Sequence, residues 1–336
     1  MHILIDTFGA DSGVAEIVLG ALKVIKCHCD INITLVGDID LMSQHLTKDY
    51  DKTRIFLLNA NESITHDDVP TEAIRRKKNS SMVVGLNALK TSDVYDCLIS
   101  AGNTGALLFG SLTIVGRING VKRACLAPLI PTLNKTKVCL VDSGANVDVD
   151  SDLLTSFAIL GSAYMQANGI TNPRVALVNV GTEEQKGNAL TKETYIKLKN
   201  SNINFVGNME ARDCISGDYD VLVCDGFVGN VMLKTIEGVA KGIMKFTAKT
   251  ILKSLCMKVA FIFNKKTITT TLKSAFDQDA QGGAVLLGIK KCVIKIHGSA
   301  NQKTVYASCL QAKKIVDANL TSITQNLIES SLKVYD

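Results

Sequence analysis

DVLVCDGFVGNVMLKTIEG, residues 220–238, couples an apolar strand pattern to a helical one through a glycine-bearing turn. Val221, Leu222, Val223 and Cys224 form an unbroken apolar run that stops at Asp225-Gly226. Gly229-Asn230 follows, and a helical spacing starts at Val231, Leu233 and Ile236. A strand feeding a turn and then a helix aims backbone N–H groups and the positive end of the helix dipole at one point, which suits an anion. Glycines at 226 and 229 would let backbone approach that anion with no Cβ between. The spacing is Gly-x-x-Gly, so it is not the Gly-x-Gly-x-x-Gly of a dinucleotide site.

The same strand-then-helix grammar recurs on both sides of this segment. Short apolar runs lie at Ile3–Asp6, Ile33–Gly37, Ile55–Leu58, Cys97–Ala101, Val138–Asp142, Val175–Val180, Asn204–Val206 and Val221–Cys224, with helical patterns between them. Strands alternating with helices predict βαβ units and a mainly parallel sheet, hence an α/β fold. Most of these runs end in Gly, Asp or Asn, and open α/β sheets bind ligands beyond the carboxyl ends of their strands. Gly102-Asn103, Gly187-Asn188, Gly207-Asn208 and Gly229-Asn230 repeat one pair at such ends, which points to a shared polar crevice. Each taken alone is also what an ordinary βα turn uses.

Several chemistries are disfavoured by what is missing. There is no Gly-x-Ser-x-Gly elbow for a serine hydrolase and no Gly-x-x-x-x-Gly-Lys-Ser/Thr for nucleotide phosphates. The ten cysteines form no Cys-x-x-Cys pair, which favours reduced thiols in a cytoplasm, and Cys27-His28-Cys29 has no second ligand pair to make a zinc site. No apolar run reaches the length of a membrane span. Tryptophan is absent and aromatics are 5% of residues, so a base-stacking nucleic-acid surface is not expected.

Charge is distributed unevenly. Eight lysines (241, 245, 249, 253, 258, 265, 266 and 273) and no acidic residue lie between Gly238 and Phe276, while the rest of the chain carries 29 basic and 32 acidic groups. The net +5 is therefore one local feature. On a helical wheel Lys241, Lys245, Lys249 and Lys253 share a face opposite Met244, Ala248, Ile251, Leu255 and Ile262, and a second short pattern follows at Ile268, Leu272 and Phe276. Residues 240–276 thus read as a basic amphipathic hairpin inserted in a single domain spanning 1–336. Lys245, Lys249, Lys253, Ile251, Leu255 and Phe261 would face an anionic membrane surface. Docking of an acidic partner and plain dimer packing are the rival readings of this segment.

Six strings together carry a family resemblance: SAGNTGALL (100–108), DSGANVD (142–148), NVGTEEQKGNALTKE (179–193), INFVGNMEARD (203–213), VCDGFVGNVMLKTIEG (223–238) and IKIHGSAN (294–301). In this order they resemble the bacterial phosphate acyltransferases, the acyl-carrier-protein:phosphate transacylases of phospholipid synthesis. Ala10 and Ala211 depart from that pattern, standing where the family usually has glycine. The resemblance implies transfer of a long-chain acyl group from acyl-carrier protein to inorganic phosphate, without a cofactor or metal. It also implies a three-layer α/β/α Rossmann-like fold similar to phosphotransacetylases and isocitrate-dehydrogenase-like proteins, and a homodimer. A cytoplasmic protein peripherally bound to the inner face of the plasma membrane is expected, with a membrane glycerol-3-phosphate acyltransferase as its downstream neighbour.

Phosphate is already a nucleophile and a thiolate leaves readily, so such an enzyme needs positioning and electrostatic stabilisation rather than a covalent nucleophile. Within the matched motifs Lys186 and Asn230 are expected to flank the reacting groups, and His297 to deliver a proton to the departing thiol. Asn103, Thr104, Gly105, Asp225, Gly226 and Gly229 are expected to cradle phosphate and thioester. Two other functions fit the same residues: a phosphotransacetylase acting on acyl-coenzyme A, and a catalytically silent membrane scaffold of phospholipid synthesis.

Overall fold

The computed structural model describes residues 1–253 and 282–332. In one sheet β1 (His2–Asp6), β2 (Asn32–Gly37), β3 (Ile55–Asn59) and β4 (Cys97–Ser100) run parallel. The helices α1 (Val14–Cys27) and α4 (Ser81–Thr91) flank them. Side chains alternate across a strand, so Ile3 and Ile5 of β1 join Ile17, Val18, Ala21 and Val24 of α1, while Leu4 joins Met82, Val83 and Leu86 of α4. Burial on both faces explains why these strands read as continuous apolar runs.

The sheet continues through three short strands that the apolar runs did not reveal. β12 (Cys292–Lys295) pairs parallel with β4, and β11 (Ala284–Leu287) pairs antiparallel with β12 and with β5 (Cys125–Ala127). The resulting order is β3-β2-β1-β4-β12-β11-β5.

A second sheet has the order β6-β7-β10-β8-β9. It contains β6 (Leu129–Pro131), β7 (Lys137–Val141), β8 (Val175–Asn179), β9 (Phe205–Glu210) and β10 (Val221–Val223), all parallel except the β6–β7 pair. Its strands again bury both faces. Val141, Val221 and Val223 meet Leu154, Phe157 and Tyr164 of α6 (Ser151–Ala167). Leu140, Leu222 and Ala176 meet Met232 on the other side. Gly161 lets α6 lie flat on this sheet, because a Cβ there would stand 2.6 Å from a Val221 methyl. The core holding α1 is continuous with the one holding α6, so a single apolar interior runs under both sheets. The architecture is α/β, with mostly parallel sheets and helices on their faces.

α8 (Gly226–Lys253) follows β10 and starts five residues earlier than its hydrophobic spacing suggests. Asp225 caps it, accepting from the Val228 N–H at 2.8 Å. The two glycines therefore sit inside the first turns rather than ahead of them. Both pack closely there: a Cβ on Gly226 would lie 2.7 Å from the Asn146 carbonyl oxygen, and one on Gly229 would lie 1.9 Å from that of Asp142. The expected close approach of backbone exists, but it is to the 142–146 loop of this chain.

α8 runs unbroken into the lysine-rich segment, with Lys241, Lys245 and Lys249 exposed on it. The second half of the expected hairpin, including Leu255 and Phe261, lies outside the described residues, as do the side chains of Ile251 and Lys253. No helix among the described residues is long and apolar enough to cross a membrane. Ala10 and Ala211 both have ordinary negative φ values, since Lys135 and Asn319 are the non-glycine residues with positive φ among those described. Neither alanine strains its loop.

Candidate active site

Where the carboxyl edges of the two sheets face each other there is a cavity of about 520 Å³. The seven-stranded sheet contributes Lys295, at the end of β12, then His297 just beyond it, and Thr104, at the start of α5 (Thr104–Gly110). The five-stranded sheet contributes Ser143 and Gly144, after β7, and Asn230 and Lys234 on α8. Asn230 and Lys234 are four residues apart and share one face of the helix. Gly144 adopts φ +135° directly under Asn230, its notional Cβ being 3.6 Å from the Asn230 Cβ. The remaining wall is apolar, built from Leu129, Ile130, Ile215, Leu233 and Ile236 among others.

Four residues singled out from sequence line this cavity: Asn230, His297, Thr104 and Gly226. Others support it from behind. Asn103 caps α5, accepting from the Ala106 N–H at 3.0 Å while its amide donates to the Thr65 carbonyl at 3.2 Å. Gly105 lies against Pro70, 2.9 Å from a notional Cβ, and Asp225 and Gly229 have the capping and packing roles given above. These side chains and glycines are explained by local structure whatever the ligand. Lys186 does not line the cavity. It is exposed in the loop after β8, which is fixed by the Lys186 N–H donating to the Glu183 carbonyl at 3.1 Å and by Asn179 Nδ2 donating to the Lys186 carbonyl at 3.2 Å. That loop leaves the same carboxyl edge of the five-stranded sheet from which α8 starts.

His297 is oriented by Ser299, whose N–H donates to His297 Nδ1 at 3.1 Å and whose hydroxyl lies 2.8 Å from the same atom. In the neutral ring the proton is therefore on Nε2. Partial burial, followed by the positive charge of Lys234, pushes its pKa below the ordinary histidine value, so the ring is neutral at neutral pH. Lys234 is itself paired with Glu237 at 3.0 Å.

Lys295, inside the string IKIHGSAN, also lines the cavity. It is only 9% exposed, and its Nζ donates to the carbonyls of Ala101, at 3.0 Å, and Ile296. Burial lowers its pKa to about 8, while the nearby charges of Asp6 and Asp11 oppose that shift. Asp6 is buried beside it and accepts from the Ser100 hydroxyl at 2.6 Å; burial raises its pKa. The signal available in sequence was a lysine inside the apolar run Cys292–Ile296, a residue type that strand interiors seldom keep unless it has a task.

Asp142 organises the opposite wall. Its buried carboxylate accepts from the N–H groups of Leu126 (2.9 Å), Ala145 (3.2 Å) and Asn146 (2.6 Å) and from the Asn146 amide (3.0 Å). Burial is the larger influence and raises its pKa despite those bonds. The DSGAN loop is thereby folded around one carboxylate, which presents Ser143 and Gly144 to the cavity.

Comparison with known proteins agrees with this architecture. The sequence model of the family described as fatty acid synthesis protein matches residues 1–323. A phosphate acyltransferase of Oceanobacillus iheyensis is 44% identical over 335 residues, covering 99% of each chain. One from Bacillus licheniformis is 43% identical over 330 residues, covering 98% of each. Among solved structures, a phosphotransacetylase from Streptococcus pyogenes superposes with a TM-score of 0.61 over 94% of both chains at 16% identity, a likeness of fold.

Proposed function

The chain belongs to the phosphate acyltransferase family, and we propose that it moves a long-chain fatty acyl group from the thioester of acyl-carrier protein to inorganic phosphate, releasing acyl phosphate and free carrier protein. The observation that carries this reading is the make-up of the cavity. An apolar wall of Leu129, Ile130, Leu233 and Ile236 adjoins the polar set Thr104, Ser143, Asn230, Lys295 and His297. An acyl chain suits the first and a thioester meeting phosphate suits the second.

A phosphate oxygen bonds to the thioester carbonyl carbon, the carbon–sulfur bond breaks, and the proton of hydrogen phosphate ends on the thiol. Asn230 donates its amide hydrogens to the carbonyl oxygen as that oxygen becomes negative. Lys186 approaches the phosphate from the loop after β8. His297, neutral at rest, takes up the proton that hydrogen phosphate loses and, as imidazolium, gives a proton to the departing sulfur. Thr104 completes the anion's hydrogen bonds. No nucleophilic side chain is required.

The test is incubation with palmitoyl-acyl-carrier protein and phosphate, trapping acyl phosphate with hydroxylamine, with palmitoyl-coenzyme A in parallel. Hydroxamate formed from the carrier protein at far lower donor concentration supports the proposal. A preference for the coenzyme A ester would make the protein a phosphotransacetylase, and no product from either donor would leave the scaffold reading.

The exposed side of α8 supports attachment to a membrane surface. Val239 (55% exposed), Ile243 (47%) and Phe246 (72%) are exposed on the helix that carries Lys241, Lys245 and Lys249. Exposed apolar groups flanked by lysines match an anionic lipid interface, where each lysine contributes about 1 kcal/mol. Acyl phosphate would then form close to a membrane acyltransferase that uses it, with the protein working as a peripheral homodimer.

A further inference from the structure

Asp6, Ser100 and Lys295 end three adjacent strands, β1, β4 and β12, at one level. Lys295 is in register with Ser100, and the Ser100 hydroxyl donates to Asp6. The polar line is buried throughout, at 1%, 0% and 9% exposure, and its last member lines the cavity. An ammonium has three hydrogens to donate. Two are taken by the carbonyls of Ala101 and Ile296, and the third meets no protein acceptor among the described residues. Asp6 and Asp11 attract it through space, while Lys234 on α8 repels it and His297 stands beside it. A buried cation needs compensating negative charge; Asp6 and Asp11 supply part of it through space, and the remaining ammonium hydrogen is left for an anion in the cavity.

We propose that Lys295 is a catalytic residue that binds the phosphate dianion at the buried end of the cavity and remains paired with it while the phosphate oxygen attacks. This rests on the acyltransfer reading for its substrate, and only Lys295 is added to it. The amine keeps its proton throughout. The new bond is phosphate oxygen to carbonyl carbon, and the proton balance is the one already given. With a pKa of about 8, the free enzyme loses this charge just above neutrality, well before an exposed lysine would.

The experiment measures affinity for inorganic phosphate alone by calorimetry, and turnover with palmitoyl-acyl-carrier protein, for wild type, Lys295→Met and Lys295→Arg. Wild-type phosphate affinity should fall by about tenfold per pH unit above pH ~8, a limb that Lys295→Arg lacks because guanidinium does not titrate there. Lys295→Met should raise Kd and KM for phosphate by roughly tenfold or more while leaving KM for the carrier protein within about twofold. A purely structural lysine holding the Ala101 carbonyl would instead lower stability and disturb both KM values together. Wild-type phosphate affinity that is constant from about pH 7.5 to 9.5 overturns the proposal even if Lys295→Met does not fold. If wild type binds phosphate with the expected limb but makes no acyl phosphate, the acyltransfer reading falls and Lys295 stands as an anion site. If wild type turns over and Lys295→Met keeps wild-type phosphate affinity, Lys295 falls and acyltransfer stands.

Discussion

Gly229 lies so close to the carbonyl oxygen of Asp142 that a Cβ on it would sit 1.9 Å from that oxygen. The contact locks the first turn of α8 onto the loop that ends β7, and the next residue, Asn230, is held over Gly144 by it. Gly229→Ala can be accommodated only by moving one backbone away from the other. The expected outcome is a loss of about 1–3 kcal/mol in urea unfolding, the range for overpacking a tight site. Turnover should fall further than stability accounts for at the assay temperature, because Asn230 moves with the helix. A variant with wild-type stability and turnover would show that the two backbones are not in contact.

Asn230 itself is exposed to the cavity and carries no structural hydrogen bond among the described residues. Asn230→Ala should therefore leave the melting temperature within a few degrees while turnover drops about 100- to 1,000-fold, the usual effect of deleting an oxyanion donor. Lys186→Ala should do the same if its loop closes over bound phosphate. Lys186 is placed outside the cavity, so the pair separates two ideas. Loss of turnover in both variants requires the loop to move on binding, whereas loss in Asn230→Ala alone removes Lys186 from the chemistry.

The sequence made the parallel frame legible because its strands are buried on both faces and so spell unbroken apolar runs. All eight runs named from sequence became strands, from β1 to β10. β5, β6, β11 and β12 were not legible. They are three or four residues long, and β6 is flanked by Pro128 and ends at Pro131. Pairing partners far along the chain fix these strands, not a local pattern. A motif named Asn230 and His297, and both stand on the cavity wall. Glycine and Asn also serve the chain's own packing, a duty with the same sequence signature as a ligand contact: Gly229 meets Asp142, Gly105 meets Pro70 and Asn103 caps a helix. Lys295 was hidden because one charge in an apolar string does not change its periodicity.

Lys295 also makes stability depend on pH. Its folded pKa of about 8 is below the ordinary 10.5, so between those values the unfolded chain binds more protons than the folded one. Stability from this group is fully present above 10.5 and is lost as pH falls through about 8. The swing is at most about 3 kcal/mol, since each pKa unit is worth about 1.4 kcal/mol. The carboxyl of Asp6 is shifted the other way, upward, so its contribution is present below the ordinary 3.8 and is lost as pH rises through its folded value. In urea unfolding, wild type should gain stability relative to Lys295→Met between about pH 8 and 10. A difference that is constant over that interval would mean the lysine is not held in a low-dielectric site.

The exposed side of α8 gives a prediction that separates lipid attachment from catalysis. Val239, Ile243 and Phe246 are exposed and are absent from the cavity lining. Lys245 and Lys249 are exposed on the same helix. Ile243→Ser with Phe246→Ser should weaken binding to vesicles containing phosphatidylglycerol by removing apolar area, at every salt concentration. Lys245→Glu with Lys249→Glu should weaken it chiefly at low salt. Each lost lysine removes about 1 kcal/mol, or roughly fivefold in affinity, and salt screens that attraction in wild type. Both double variants should keep wild-type turnover on soluble carrier-protein substrate. Equal vesicle binding by wild type and both variants would transfer this surface from the membrane to another partner. A second copy of the chain would then be the first to test, by sedimentation of the apolar double variant against wild type.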